Sequence, residues 1–202
     1  MRNSFINTLT ELATKDDKIF LLTADMGYSV FESFQKQFPD RFLNTGIAEQ
    51  NTIGIAAGLA MSGKIVYVYS IIPFVTMRCF EQVRLDLAYN NTNVKLVGVG
   101  AGFTYGPFGV SHHSIEDISI MRSLPNMKVL CPGDPIETNS LVKASHANFG
   151  PMYIRLGKNG EQCINKYDAK IILGKASIIS EGKDSALITT STMLQIGKQW
   201  ID

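Results

Sequence analysis

The chain has 202 residues, of which 45% are hydrophobic and 18% are charged, a composition typical of a globular protein with room for one full domain and part of another. Nineteen basic and eighteen acidic residues give a formal charge of +1, and no run of Lys and Arg is interleaved with aromatic residues, which argues against a nucleic-acid partner. The three cysteines, Cys79, Cys131 and Cys163, are widely spaced, so they predict neither a metal site nor a disulfide framework and favour a reducing cytoplasm.

The first 17 residues have the pattern of an amphipathic helix rather than of a signal peptide. No apolar stretch approaches the roughly 20 residues that cross a bilayer, so we expect a soluble protein with no membrane partner. Apolar runs typical of β-strands then alternate with helical patterns. The predicted strands cover residues 18–25, 41–44, 64–70, 93–101, 127–134 and 151–157, and the predicted helices cover 28–38, 48–62, 74–90, 114–123 and 135–147.

This alternation predicts an α/β fold with three layers, in which a mostly parallel sheet carries helices on both faces. Ligands of such sheets bind outside the carboxyl ends of the strands, so the residues that follow each strand are the best site candidates. Beyond residue 158 the pattern loosens: residues 169–184 resemble a hairpin, and residues 185–202 start a second strand-helix unit. The chain ends inside that unit, which leaves open a truncated chain, a shortened gene product, or an element that docks elsewhere.

Glu49 starts the helical pattern that follows the second predicted strand. A helix over 48–62 places its carboxylate on the same face as Ile53 and Ala57. Because that face is apolar, we expect a desolvated carboxylate that can hold or share a proton, as acid-base chemistry requires. The alternative is an acid of the first helical turn that satisfies free backbone N–H groups.

Candidates also follow the third and fourth strands. Phe74 comes after Pro73, a residue suited to the start of a helix, and its ring could stack on a planar ligand or pack in the core. His112 and His113 lie in a glycine-rich loop, and histidine is the usual proton carrier near neutral pH. Either histidine could instead cap a helix or bond the loop, and no third ligand at a useful spacing supports a metal site.

Two charged residues complete the set of candidates. Arg155, in the segment YIRLG at the sixth strand, could bind an anionic substrate group in a bidentate manner or form a structural ion pair. Asp25, at the end of the first strand, could contact a ligand or shape the turn.

Four segments, in this order along the chain, resemble a known family. LLTADMG, NTGIAEQNTIGIAAGLAMSG, FEQVR and GVSHHSIEDISIMRSLPNMKVLCPGDP are similar to the pyrimidine-binding domain of transketolases, which depend on thiamine diphosphate, and in particular to the separately encoded C-terminal subunit. The similarity covers residues 1–160. Residues 161–202 then correspond to a linker and the incomplete start of the C-terminal domain of the family.

The resemblance implies a transferase of the EC 2.2.1 type that moves a two-carbon ketol or related acyloin unit with thiamine diphosphate and Mg²⁺. It implies two catalytic residues: Glu49, which bonds the aminopyrimidine ring nitrogen, and His112, which exchanges protons with substrate oxygens. The remaining implied contacts are cofactor binding by Glu49, Phe74, Ile71 and Met77, and substrate binding by His112, His113, Arg155 and Asp25.

The chain departs from the family pattern around the substrate. Ile71 and Met77 stand where transketolases carry two further aromatic residues, Phe108 replaces an acidic residue, and Gly100 replaces a histidine that contacts the sugar. We therefore expect a sugar or ketose substrate, with a modified sugar or another acyloin donor as open as an ordinary pentose phosphate.

The family holds the diphosphate through magnesium with a Gly-Asp-Gly motif followed by an asparagine, and this sequence has no such motif. The resemblance thus implies a separate N-terminal subunit that binds the diphosphate and provides most of the Mg²⁺ ligation, in a two-fold heterotetramer. Two alternatives remain: the beta subunit of a 2-oxo acid dehydrogenase, and a binding module that kept the fold without catalysis.

Overall fold

A computed structural model describes residues 1–167 and 171–201 of the chain. Its centre is a six-stranded sheet in which every neighbouring pair of strands is parallel, in the order β2-β1-β3-β4-β6-β5. The strands are β1 (Ile19–Thr23), β2 (Phe42–Asn44), β3 (Ile65–Ile71), β4 (Val94–Val99), β5 (Lys128–Leu130) and β6 (Met152–Leu156). The predicted α/β fold with a parallel sheet is confirmed, and each predicted strand is present with shifted ends.

The helices connect successive strands and cover both faces of the sheet. They are α1 (Arg2–Ala13), α2 (Glu32–Gln37), α3 (Glu49–Met61), α4 (Ile72–Thr76), α5 (Phe80–Gln82), a π-helix (Val83–Tyr89), α6 (Asp117–Arg122), α7 (Pro135–Ala147) and α8 (Met193–Ile201), with short 3-10 turns at Pro39–Arg41 and Gly106–Phe108. Helix α3 ends as predicted before Gly63, whose φ of +91° suits a glycine after a helix. No helix among the described residues is long and apolar enough to cross a membrane.

The two faces of the sheet carry separate apolar cores. In β3 the side chains of Tyr67 and Tyr69 belong to the core beside α1 and α7, whereas Val66 and Val68 belong to the core beside α3. This division follows from the two-residue period of a strand, in which neighbouring side chains point to opposite faces. Both faces are therefore buried, and the strands are apolar throughout rather than alternating.

The segment after β3 differs from the prediction. In place of one helix over 74–90, the chain forms α4, α5 and the π-helix, with an interruption at residues 77–79. Burial, followed by the nearby Glu49 carboxylate, raises the pKa of the Cys79 thiol to about 12, and the protonated thiol donates to the carbonyl groups of Phe74 and Val75 at 3.3 and 3.2 Å. The backbone N–H of Arg78 bonds the Pro73 carbonyl, five residues back, so the helix widens here.

The predicted helix 28–38 is also shorter than expected, because residues 28–31 form turns in which Ser29 has a φ of +61°. The hairpin predicted over 169–184 and the strand that follows it are wrong for the described residues, where 171–192 contain no strand; residues 169 and 170 lie outside that part. Ile178 and Ile188 are mostly exposed, and a hairpin that buries so little apolar surface is not stable. The helix predicted after it is present as α8.

Asp134 joins the sheet domain to the segment that follows it. This fully buried carboxylate caps α7 by accepting a bond from the backbone of Glu137 at 2.7 Å. Its second oxygen accepts bonds from the backbone N–H groups of Ile164 and Asn165 at 2.8 and 2.6 Å. The first residues beyond β6 are therefore bound to the domain.

Candidate active site

Three of the predicted site residues meet at the carboxyl edge of the sheet. Because all strands are parallel, the segments after β2, β3 and β4 emerge on the same edge, and they carry Glu49, Phe74 and His112 respectively. The rings of Phe74 and His112 are in contact, with centroids 5.1 Å apart and an angle of 68° between their planes. Glu49 is connected to Phe74 through one further residue, Arg78.

Glu49 is the first residue of α3 and is 5% exposed. The side chains of Ile53, Ala56 and Ala57 are buried on the same face, as the helical spacing predicts. Its Oε1 accepts a hydrogen bond of 2.9 Å from Nη1 of Arg78. The carboxylate is therefore held by a side chain, and among the described residues it accepts no bond from the N–H groups of its own first turn, so the capping alternative does not describe it.

Arg78 also covers one face of the Phe74 ring. Its guanidinium carbon lies 3.9 Å from the ring centroid, a cation–π contact, while its side chain remains 42% exposed. Sequence reasoning missed this residue, although its position four residues after Phe74 is the spacing at which helical side chains meet. Glu49, Arg78 and Phe74 thus form a continuous stack, which we call the edge stack.

His112 extends the edge stack through its contact with Phe74. Its half-buried imidazole lies against the rings of Tyr105 and Phe108, with centroids 5.6 and 5.0 Å away. Its Nδ1 is 2.9 Å from the hydroxyl of Ser111. The imidazole is therefore positioned by three aromatic rings and one hydrogen bond, and Tyr105 was not among the predicted residues.

His113 does not join this group. Its Nε2 bonds the carbonyl oxygen of Gly106 at 2.9 Å, and its ring packs edge-on against Phe103 at 5.0 Å. These contacts match the loop-bonding alternative that the sequence left open.

Arg155 likewise lies away from the edge stack. Its guanidinium is 8% exposed and is bound on every nitrogen: Nε to Asp117 at 2.8 Å, Nη1 to Ser191 at 2.9 Å, and Nη2 to the carbonyl of Ser114 at 3.0 Å. Burial, with the Asp117 charge adding to it, raises the pKa of Tyr153, so its hydroxyl stays protonated and donates to Asp117 at 2.6 Å. The structural ion pair, rather than a substrate contact, describes Arg155 here.

Asp25 sits one strand away from the edge stack, at the carboxyl end of β1. It has a φ of +53°, and its Oδ1 accepts bonds from Tyr28 and Asn44, each at 3.2 Å. These residues line a cavity of about 130 Å³. Asp25 therefore shapes the turn, and its predicted contact with substrate is neither supported nor contradicted by these bonds.

The two remaining predicted residues lie under the edge stack. Ile71 is the last residue of β3, is 4% exposed, and packs in the core beside Tyr69. Met77 is half-buried at the interruption of the helix. A cation that the sequence reasoning missed, Lys158, lies two residues beyond β6 with its ammonium nitrogen 4.7 Å from the centroid of the Tyr105 ring.

No other described feature competes with this edge as a site for chemistry. A wider cleft of about 510 Å³ lies beside β5, between the side chains of α6 and α7 and the segment 171–175, and it contains none of the predicted site residues. Within residues 1–167 and 171–201, no group of three or more His, Cys, Asp or Glu side chains could hold a metal ion.

A parallel sheet whose carboxyl edge carries a buried glutamate beside an aromatic ring defines a class of cofactor-binding α/β domain. Comparison with known families identifies it: the description "Transketolase, pyrimidine binding domain" matches residues 1–160. The chain belongs to the transketolase family, as its motifs predicted.

Similar proteins agree with this membership. One of the two subunits of an apulose-4-phosphate transketolase from Phocaeicola vulgatus is 41% identical over 93% of this chain and 61% of its own length. A 6-deoxy-6-sulfo-D-fructose transketolase subunit of a Clostridium species is 40% identical over 96% of this chain and 61% of its own length. A solved structure described as a split gene transketolase, inactive beta4 tetramer, has a TM-score of 0.81 at 40% identity and covers 91% of this chain and 59% of that one. The chain thus spans about three-fifths of the length of these relatives.

Proposed function

We propose that the chain is the pyrimidine-binding, C-terminal subunit of a split transketolase that uses thiamine diphosphate to transfer a two-carbon ketol or related acyloin unit. The observation that carries this proposal is the buried Glu49 carboxylate beside the half-buried ring of Phe74, with the His112 imidazole against that ring. The names of the subunit relatives support the division into two chains.

The edge stack has the shape that an aminopyrimidine needs. A flat, nitrogen-rich group, the Arg78 guanidinium, already fits between the Phe74 face and the Glu49 carboxylate. A pyrimidine ring is also flat and presents nitrogen atoms at its edge, so the same ring face and carboxylate suit it. When bound, thiamine diphosphate supplies the nucleophilic carbon that takes up the ketol unit.

Each residue of the chain then has a distinct role. Glu49 holds a proton at its carboxylate, in a setting whose burial strengthens a hydrogen bond to a ring nitrogen. Phe74 supports the ring, and Ile71 and Met77 support Phe74 from beneath. His112 exchanges a proton with substrate oxygens through Nε2, because Ser111 engages Nδ1.

The anionic end of the substrate falls to Lys158 in this proposal rather than to Arg155. The Lys158 ammonium lies on the Tyr105 ring, which contacts His112, whereas the Arg155 guanidinium is enclosed by Asp117. Two subunit relatives are named for a sugar phosphate and a sulfo-sugar, both with an anionic group. A modified, anionic ketose is therefore the substrate class that we favour, with His113 and Asp25 as further proposed contacts.

A partner subunit completes the site in this proposal. The diphosphate and Mg²⁺ would be held mainly by an N-terminal subunit, and two copies of each chain would form a two-fold heterotetramer. Apolar side chains on the loops beyond the strands offer a surface for it: Tyr28, Ile47, Phe103, Phe108, Val110 and Ile115 are each more than 60% exposed. A separate C-terminal domain starting after residue 160, and a cytoplasmic location, remain part of the proposal.

The two alternative functions make different predictions. The family match with transketolases favours ketol transfer over a 2-oxo acid dehydrogenase, whose beta subunit shares only the domain type. A non-catalytic module would bind without turnover, so the replacement Glu49→Gln separates it from an enzyme.

The test is a calorimetric titration of thiamine diphosphate with Mg²⁺ into this chain, and into its mixture with the diphosphate-binding transketolase subunit of the same organism. We expect saturable binding only in the mixture. In that mixture, Glu49→Gln should lower kcat about 10²- to 10⁴-fold, the range for a proton-transfer group, while the exposed Glu11→Gln leaves it unchanged. Tight binding by this chain alone would refute the split site, and full turnover by Glu49→Gln would refute the role of Glu49.

A further inference from the structure

Arg78 makes two contacts at once with the residues that would receive the pyrimidine. Its Nη1 donates to Glu49 Oε1 at 2.9 Å, and its flat guanidinium covers the Phe74 ring at 3.9 Å. One face of one ring and one carboxylate oxygen are thus both occupied by a single planar cation. A pyrimidine that stacks on the same face and bonds the same carboxylate could not bind while Arg78 remains there.

We propose that Arg78 is a placeholder: in the cofactor-free chain its guanidinium takes the position of the pyrimidine, and the cofactor binds by displacing it. The inference rests on the proposed function and adds to it a side chain that competes with the cofactor. Binding is then an exchange of partners at Glu49 and Phe74 rather than the filling of an open cleft.

The burial of Glu49 explains why a placeholder is useful. A carboxylate that is 5% exposed is costly to leave ionised without a partner, and Arg78 supplies the opposite charge and a hydrogen bond. The apolar face of α3 can therefore remain folded around Glu49 before the cofactor arrives. The pyrimidine later takes over both contacts, so the carboxylate keeps a partner throughout.

The exposure of Arg78 explains how it can leave. Its side chain is 42% exposed, so the guanidinium reaches water by rotation of its own side chain. Ion pairs and cation–π contacts at this degree of exposure are weak, so the cofactor can displace them. Their loss nevertheless reduces the apparent affinity, because part of the binding energy replaces contacts that already exist.

The experiment uses the full chain and thiamine, a probe that carries the pyrimidine without the diphosphate that a partner would hold. Binding is followed by NMR through the Arg78 side-chain signals, which the Phe74 ring current should shift upfield in the free chain. We expect thiamine to abolish this shift at saturation. Arg78→Ala should bind thiamine about three- to tenfold more tightly than the wild type, and Arg78→Gln should do the same if the alanine variant folds poorly.

The chain offers a matched control in Arg84. This exposed arginine covers the Tyr89 ring at 5.0 Å in the same helical segment, away from Glu49, so Arg84→Ala should leave thiamine affinity unchanged. If Arg78→Ala binds thiamine as the wild type does or more weakly, or if the Arg78 signals stay unmoved at saturation, the placeholder is wrong and the proposed function stands. If neither the wild type nor Arg78→Ala binds, and the mixture with the diphosphate-binding subunit also fails to bind thiamine diphosphate with Mg²⁺, the proposed function itself is overturned.

Discussion

Replacement of Asp117 by Asn tests whether the buried ion pair with Arg155 is structural. Asp117 is fully buried and accepts bonds from Arg155 Nε at 2.8 Å and from the Tyr153 hydroxyl at 2.6 Å. Asparagine keeps the shape of the side chain but leaves the Arg155 charge without its counter-ion in a site that is only 8% exposed. Loss of one partner of a buried pair costs about 3–5 kcal/mol, and we expect Asp117→Asn to lower the free energy of unfolding by that amount.

The assay is urea unfolding of the wild type, the two single variants Asp117→Asn and Arg155→Met, and the double variant. Because each single change leaves one buried charge unpaired and the double change removes both, the double variant should lose less stability than the sum of the singles by about 1–3 kcal/mol. Arg155 also binds the carbonyl of Ser114, two residues after His112, so the His112 loop should lose hydrogen-exchange protection in the same variants. Additive losses, or a loss below about 1 kcal/mol for Asp117→Asn, would refute a structural role for the pair.

Two further predictions concern the lysines. Burial, with Lys128 adding to it, lowers the pKa of Lys95 to about 7, below its unfolded value, so the unfolded chain binds more protons above pH 7 and stability should rise with pH toward 10 relative to Lys95→Met. Urea unfolding at pH 6.5, 8 and 9.5 measures the difference, and parallel pH profiles of the two proteins would contradict it. Lys158→Met should raise KM for an anionic ketose about tenfold in the reconstituted enzyme at unchanged free energy of unfolding, with the exposed Lys166→Met as control; an unchanged KM would remove Lys158 from the substrate site.

The fold could be predicted because its signals are local. Apolar runs of five to seven residues separated by helical patterns indicate a buried parallel sheet, whatever the side chains contact later. The depth of Glu49 was predictable for the same reason, since helical spacing alone places it on the face of Ile53 and Ala57. The interruption after α4 depends instead on bonds from the buried Cys79 thiol to two carbonyl groups, which the helical pattern of this segment does not reveal.

The partners of charged side chains were the least predictable part of the site. Arg78 stands in the sequence MRCFEQVR, where an arginine is typical of a solvated helix surface, and only the depth of Glu49, 29 residues earlier, gives it a partner. Arg155 finds its counter-ion 38 residues earlier, in Asp117. Neither spacing is a local one, so a single sequence does not reveal either pair.

The contrast between Arg155 and Lys158 shows which side chains of this fold can reach the carboxyl edge. Arg155 lies inside β6, two residues after Tyr153, so both side chains project to the same face of the sheet and meet Asp117 of α6 there. Lys158 lies two residues beyond the end of the strand, where the chain has passed the edge and can contact the ring of Tyr105. Ligands of parallel sheets bind beyond the strands, so a displacement of three residues along the chain is enough to make one cation part of the core and the other a candidate for the substrate.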